Sequence, residues 1–395
     1  MIKFSSRMNL LKGSAIRELL ALANKPEVLS FAGGMPAPEL FPVDKIKAAT
    51  DAVLEEQGRV ALQYSSTNGF EHFRQQIADR MEAKLNIKTS ADNILVTSGS
   101  QQGLDYSARV FCDKGDVIII ESPSYLGALN AFKACEPNFV AIPTDGDGMI
   151  MEELEKVLAT TENVKMIYVI PDFQNPSGRT WPLERRKQFM EIVNKYEVPV
   201  VEDNPYGELR FHGEGGSSFA TLLGEQCAAM GTFSKIVAPG MRIGWIACKQ
   251  PELYAKLLAF KSTMDLHTNI FGQMVLAQYL LDNDLDDQIE KIKEMYREKA
   301  EKMMACMAED FPADVKYTKP EGGMFIWATM PEGLKAVDVM EAAAKKGVAV
   351  CPGDPFYEED RGVRTMRINY SNSSDEAIEK GIKILGDTLK ELLAK

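Results

Sequence analysis

From about residue 92 to residue 250 the chain alternates short apolar runs with amphipathic stretches, the pattern of strands joined by helices. Apolar runs at 93–97, 117–121, 139–143, 164–170 and 198–202 predict strands, and 230–232 and 243–248 add two more. Between them, 100–111, 125–135, 151–158 and 183–196 carry helical spacing. Several strands are apolar almost without a break, as expected when helices cover both faces of a parallel sheet. The predicted class is α/β, a layered domain around a mainly parallel sheet.

Beyond that block the pattern changes. A charged, heptad-like stretch over 285–310 predicts one long linking helix. Strand signals at 324–328, 348–351 and 364–370, with helical signals at 337–345 and 375–393, describe a smaller α+β unit. The expected organisation is an arm and crossing segment over 1–45, a large domain over 46–289 and a small domain over 290–395. The chain has no internal repeat and no low-complexity segment.

In open α/β sheets a ligand lies outside the carboxyl ends of the strands, and the polar clusters of this chain fall there. Thr232-Phe233-Ser234-Lys235 follows one strand, with Arg242 seven residues after the lysine. A lysine amine can form a Schiff base with an aldehyde, and an arginine fork suits a phosphate. Pyridoxal 5'-phosphate (PLP) carries both groups. A surface Lys and Arg flanking a strand explain the same pair, so the other strand ends decide.

Ser98-Gly99-Ser100-Gln101-Gln102-Gly103 opens a helix, where free N–H groups bind phosphate. Ser100 can be the N-cap and also offer its hydroxyl, or can simply cap. Asp203, ending a buried strand, needs a partner, and a pyridinium nitrogen is one; an Asx-turn before Pro205 is the alternative. Tyr206 can bond a ring hydroxyl. Asn175, in Asn175-Pro176-Ser177-Gly178, can donate to the same ring oxygen or merely mark a turn. Tyr125 stacks on a ring or packs.

Composition narrows the field. A length of 395 residues accommodates two domains. A net charge of -12 disfavours nucleic acid and anionic membranes as partners. No apolar run approaches the roughly 18 residues of a membrane span. The N-terminus lacks a secretory apolar core, its runs being broken by Lys12, Arg17 and Glu18, so a cytoplasmic location is expected. The six cysteines form no C-x-x-C pair and the three histidines have no metal spacing, so no metal site is expected.

With these motifs in that order, the chain resembles the fold-type I PLP-dependent aminotransferases of class I/II over essentially its whole length. It is most similar to their kynurenine/2-aminoadipate branch, through Phe31-Ala32-Gly33-Gly34-Met35-Pro36, Phe41-Pro42, Leu62-Gln63-Tyr64-Ser65 and the Ser98 to Gly103 motif. Ser177 replaces a frequent Thr and Thr232 a frequent Ser; both keep the hydroxyl.

The resemblance implies a fold-type I architecture, with a mainly parallel large domain and a smaller α+β domain. It implies that Lys235 anchors PLP covalently and then carries the proton of the catalysed step. Arg242, Thr232, Ser100 and the Gln101 backbone would hold the phosphate. Asp203 would pair with the pyridine nitrogen, Asn175 and Tyr206 with the ring oxygen, and Tyr125 would stack. Tyr64 would complete the phosphate site of a neighbouring subunit, which implies a homodimer. Arg367 would take the substrate α-carboxylate. Arg364 is its competitor, on the opposite strand face by alternation. Gly34 would let the backbone approach the substrate.

The implied reaction moves an amino group between an L-amino acid and a 2-oxo acid such as 2-oxoglutarate. The donor is aromatic, aliphatic or 2-aminoadipate-like. A PLP-dependent β-lyase or decarboxylase starts from the same site and is the alternative. A non-catalytic PLP-binding effector module is more remote, because Gly33-Gly34 lies too near residue 1 for a DNA reader to precede it. Met35, Leu40, Phe356 and Tyr357 either line an apolar side-chain pocket or simply pack.

Overall fold

The computed structural model describes residues 2–10, 28–358 and 362–394, so residues 11–27 of the expected arm lie outside the described residues. After β1 (Leu29–Ser30) the chain builds an eight-stranded sheet. Its strands are β2 (Ile94–Thr97), β3 (Val117–Ser122), β4 (Asn138–Asp145), β5 (Gly148–Met149), β6 (Val164–Val169), β7 (Val200–Asp203), β8 (Cys227–Thr232) and β9 (Gly244–Cys248). The spatial order is β2-β9-β8-β7-β6-β3-β4-β5. Strands β4, β3, β6, β7 and β8 run parallel, and β9 lies antiparallel between β8 and β2.

The unbroken apolar runs have the expected cause: β3 is buried along its whole length. Ile118 and Ile120 pack with Leu104, Leu129 and Phe132 on one face, while Ile119 joins Leu154 and Phe189 on the other. Each such side chain contributes about 1.5–3 kcal/mol of burial, which fixes register and so fixes where the strand ends point.

The second sheet is antiparallel. It contains β10 (Lys316–Tyr317), β11 (Phe325–Thr329), β13 (Cys351–Pro352) and β14 (Thr365–Asn369), in the order β10-β11-β14-β13. The short β12 (Val348–Ala349) pairs instead with β1. The single strand expected over 348–351 is therefore two. Leu29 and Phe31 donate their N–H groups to the carbonyls of Gly347 and Ala349, and the chain then turns into the small sheet, where Pro352, lacking an N–H, sits on an edge strand.

Helices Ser100–Phe111, Leu183–Tyr196, Leu285–Asp310 and Asp375–Leu393 match the sequence reading, and Asp284 and Ser374 cap the last two. Helices Val43–Ala61, Glu71–Leu85, Pro251–Met264 and Ile270–Asp282 were not anticipated. In the last of these, Ile270, Gln273, Met274, Val275, Leu276, Ala277 and Tyr279 are all buried, so no single apolar stripe marks it. No helix among the described residues is long and apolar enough to cross a membrane.

A buried ion pair ties the loop after β6 to its surroundings. Arg186 is fully buried, donates to Asp172 Oδ1 at 2.8 Å and also bonds the carbonyls of Pro171, Trp181 and Ser217. Arg210 adds a second contact to Asp172 at 3.2 Å and reaches Glu321, just before β11, at 2.9 Å. Removing the carboxylate would leave a buried guanidinium uncompensated. Asp172→Ala is expected to lower stability by about 3–5 kcal/mol, read as a fall in the urea unfolding midpoint relative to the unsubstituted protein.

Candidate active site

At the carboxyl ends of the parallel strands lies a cavity of about 470 Å³. Loop residues after β3, β6, β7 and β8 supply Tyr125, Asn175, Tyr206 and Lys235 respectively, and Asp203 is the last residue of β7. Gly34 comes from the crossing segment and Arg367 from β14, so both sheets contribute walls. Ser100, Gln101, Thr232 and Arg242 complete the expected set. Tyr64 is absent from this cavity; it is 79% exposed, and its ring meets His267 edge-on at 6.0 Å.

The helix that opens at Ser100 starts differently from expectation. Gly99, not Ser100, is the N-cap, with φ +74 and no side-chain cap bond. A Cβ on Gly99 would lie 2.5 Å from Arg242 Nη2. Only glycine permits both this backbone and this approach, so the guanidinium closes down over the free N–H end of the helix. Arg242 has φ +52 and bonds the carbonyls of Pro239 and Ser98 at 3.2 and 3.4 Å.

Among the lining residues three cations, Lys235, Arg242 and Arg367, face one carboxylate, Asp203. That balance suits a ligand with more than one anionic group. Lys235 Nζ donates to the Gly34 carbonyl at 2.8 Å. Burial, then Arg367 and Arg242, push its pKa down to about 8. Asp203 accepts from the Tyr168 hydroxyl through Oδ2 at 3.0 Å, while its buried Oδ1 has no partner within the protein. Burial lifts its pKa to about 7, the Tyr168 bond opposing and Glu202 adding to the rise.

Arg367 donates to Asn175 Oδ1 and to the Ala32 carbonyl, both at 2.8 Å, leaving Nε unpartnered. Its guanidinium lies 4.4 Å from the Phe325 ring centre and 5.1 Å from that of Phe356. Arg364, three positions earlier, is exposed. Asn175 Nδ2 donates to the Tyr206 hydroxyl at 3.3 Å.

These features fit PLP. The unpaired Asp203 oxygen has the acceptor chemistry a protonated ring nitrogen needs. The Gly99 approach forms a cradle for phosphate between N–H groups and Arg242. Lys235 supplies an amine with a substantial neutral fraction near pH 8.

The cavity also contains residues that the sequence reading left unassigned. Ser234 lines it and lies 2.9 Å, oxygen to oxygen, from Thr232; its place directly before the lysine was the available signal. Asn130 and Cys351 line it as well, with no local motif to mark them. Of the four apolar pocket candidates, Phe356 lines the cavity. Met35 is half exposed, Leu40 packs on the core and Tyr357 packs beside Trp327.

The family model for aminotransferases of class I and II matches residues 32–385. The aromatic-amino-acid aminotransferase 1 of Thermococcus litoralis is 45% identical over 397 residues, covering 99% of this chain and 95% of that protein. The crystal structure of the multiple substrate aminotransferase from Thermococcus profundus superposes with a TM-score of 0.94 at 42% identity, covering 99% of this chain and 98% of that one. The α-aminoadipate aminotransferase of Thermus thermophilus, solved with N-(5'-phosphopyridoxyl)-L-leucine, superposes with a TM-score of 0.91 at 37% identity, covering 99% and 98%.

The depressed amine has a measurable consequence. In the cofactor-free protein, acylation of Lys235 follows the neutral fraction, so its rate should rise with pH and level off above about 8. Exposed lysines should still be accelerating toward about 10.4. Peptide-resolved mass spectrometry after timed labelling reads the difference, and a Lys235 profile matching the exposed lysines would contradict the burial argument.

Proposed function

The chain belongs to the aminotransferases of class I and II, and we propose that this PLP-dependent enzyme takes a broad set of L-amino acids, aromatic, aliphatic and 2-aminoadipate-like, with 2-oxoglutarate as acceptor. The observation that carries the site assignment is one cavity holding a depressed lysine amine, an unpaired buried aspartate oxygen and two arginines.

Bound PLP supplies an aldehyde for the amine and a ring that accepts electrons. The protein residues do the rest. Arg242, the hydroxyls of Ser100 and Thr232, and the Gln101 N–H hold the phosphate end, with Ser234 beside them. Asp203 keeps the proton on the ring nitrogen; a cation beside it reverses the burial effect and favours its ionised form. Asn175 and Tyr206 bond the ring oxygen, and Tyr125 covers a ring face. Lys235 first holds the cofactor and then, as a neutral amine, moves the proton at the substrate Cα. Arg367 takes the α-carboxylate through its fork, with the Gly34 main chain alongside.

The breadth of donors rests on the uncharged walls of the cavity. Leu126 and Phe356 are apolar, while Gln101 and Asn130 are polar and uncharged. Such walls accept an apolar side chain and tolerate a polar one, at a discrimination of about 1–3 kcal/mol per methylene. The substrates for which the relatives are named, aromatic amino acids and α-aminoadipate, fall in the same range.

A homodimer belongs to this reading. Leu62, Tyr64, Met264 and Leu266 are exposed apolar residues next in sequence to the Tyr64–His267 contact. A second copy covering them would bring Tyr64 to the partner's phosphate site.

The purified protein with PLP should show a visible absorbance band that Lys235→Ala abolishes together with turnover. A protein that takes up no PLP would overturn the assignment. A panel of amino donors with 2-oxoglutarate measures breadth: new glutamate from aromatic, aliphatic and 2-aminoadipate donors is expected, and release of ammonia and pyruvate without an acceptor would point to a lyase. Arg367→Gln removes a charged fork and should lower kcat/KM roughly 10- to 100-fold, mainly through KM. Tyr64→Phe should weaken phosphate retention in a dimer seen by sedimentation velocity, whereas a monomer at working concentration would remove the Tyr64 role.

A further inference from the structure

Glu121 is a buried carboxylate that the reaction as described does not use. It lies near the carboxyl end of β3, 2% exposed. Its Oε2 accepts from the Ile170 N–H at 2.9 Å, and its Oε1 accepts from Trp181 Nε1 at 3.0 Å. Ile170 and Trp181 bracket the 171–180 loop that carries Asn175. One side chain on a rigid strand therefore holds both ends of that loop.

The middle of the loop is tied to the same strand end. Gln174 Nε2 donates to the Pro123 carbonyl at 2.7 Å, two residues beyond Glu121. Gln174 Oε1 accepts from the Ser177 N–H at 3.0 Å and from its hydroxyl at 2.5 Å. On the far side, Gly178 (φ +67) presses on β11, where a Cβ would lie 2.4 Å from the Phe325 carbonyl. Asn175 is thus fixed between β3 and the small sheet, its Oδ1 on Arg367 and its Nδ2 on Tyr206.

We propose that Glu121 is a positioning residue for the substrate-carboxylate site: by stapling both ends of the 171–180 loop it orients Asn175, and through Asn175 it aims Arg367. An apolar side chain would occupy the space without the cost of burying a carboxylate, but would leave two buried N–H groups without acceptors. The cost is visible in the carboxyl itself. Burial lifts its pKa to about 7, against the opposing pull of the Ile170, Trp181 and Gln174 hydrogen bonds and of Arg179. Arg186 also reaches both ends of the loop, at Pro171, Asp172 and the Trp181 carbonyl, but it does so from the following helix, whereas Glu121 ties the loop to β3. The proposal rests on the aminotransferase reading of the site.

The test uses PLP-loaded wild type, Glu121→Gln, Asn175→Ala and the double variant. Glutamine offers one acceptor and one NH2, so one of the two N–H groups faces a donor. The expected result for Glu121→Gln is a KM for the amino donor raised roughly tenfold, the scale of one hydrogen bond, with kcat changed much less. The pH midpoint of the visible cofactor band should also rise. An Asn175 amide donating to the ring oxygen favours the deprotonated form, so misplacing it moves the midpoint in the direction that Asn175→Ala does. The double variant should match Asn175→Ala alone, because both changes act through one side chain.

Additive effects, or a Glu121→Gln enzyme with only a lower Tm, would overturn the proposal. Trp181→Phe provides a second route if Glu121→Gln does not fold. It removes one staple while keeping a ring against Phe189 and Phe219; a smaller shift of KM and midpoint in the same direction supports the proposal, and unchanged values overturn it. If wild type binds no PLP, or Asn175→Ala leaves the band unmoved, the underlying site reading fails as well. If Asn175→Ala moves the band and Glu121→Gln does not, only the role of Glu121 fails.

Discussion

The site depends on holding charged groups, Asp203 and Arg367 fully and Lys235 in part, out of water at the end of a parallel sheet. Lys235 and Asp203 are buried enough that each is driven toward its neutral form, the amine down to about 8 and the carboxyl up to about 7. They have not been paired with each other in the free protein: Lys235 bonds a carbonyl and Asp203 bonds Tyr168. A direct ion pair would have restored both ordinary pKa values and left nothing for a ligand. The separation is set by the strands, since Asp203 ends β7 and Lys235 follows β8, its parallel neighbour. Strand order and register therefore act directly on the chemistry.

The loops that carry the remaining groups are held as firmly as the strands, by side chains that never enter the cavity. Arg186 and Asp172 bind the loop after β6 to its own helix, Arg210 carries the connection to Glu321, and Glu121 closes the loop ends. Each of these is a buried or half-buried charge whose own contribution to stability is small or negative once desolvation is counted. What they contribute is orientation. Asn175 meets Arg367 across the boundary between the two sheets, and such a contact needs both partners fixed to a fraction of an ångström.

Much of this was legible in the sequence, for identifiable reasons. Parallel strands such as β3 are buried on both faces, so they read as continuous apolar runs, and the ligand groups follow them directly. Helices with a single apolar stripe, such as Ser100–Phe111 and Leu183–Tyr196, were found to the residue. Ile270–Asp282 was not, because burial on several sides erases the stripe. The 348–351 run failed differently: it is apolar throughout, but its two halves pair with different strands, and pairing partners are not a local property. At the site, Lys235 and Asp203 carried motif signals. Asn130 and Cys351 did not, because nothing near them in sequence distinguishes a cavity wall from ordinary packing. Gly99 displaced Ser100 as N-cap because the chain there takes φ +74, a backbone that favours glycine, and the Arg242 guanidinium packs close on the same side.

Two residues lining the cavity each hold a buried polar atom with no partner in the protein. Asp203 Oδ1 and Arg367 Nε are both buried without a hydrogen bond, and an unmet buried group costs about 1–3 kcal/mol. Neither can relax toward a neighbour. Asp203 is tethered by Tyr168, and Arg367 is held at both terminal nitrogens and packed against Phe325 and Phe356. Under the proposed roles, a cationic ring nitrogen would relieve the first and an α-carboxylate the second. The free protein would then carry the cost in advance, and binding would offset it with these groups already in place. The same roles would divide the recognition: one group selects the cofactor, the other the α-carboxylate common to all the amino acids. In those roles neither reads the substrate side chain, which leaves that to uncharged residues of the cavity such as Leu126 and Asn130. Uncharged walls distinguish weakly, and the breadth of substrate proposed above rests on that.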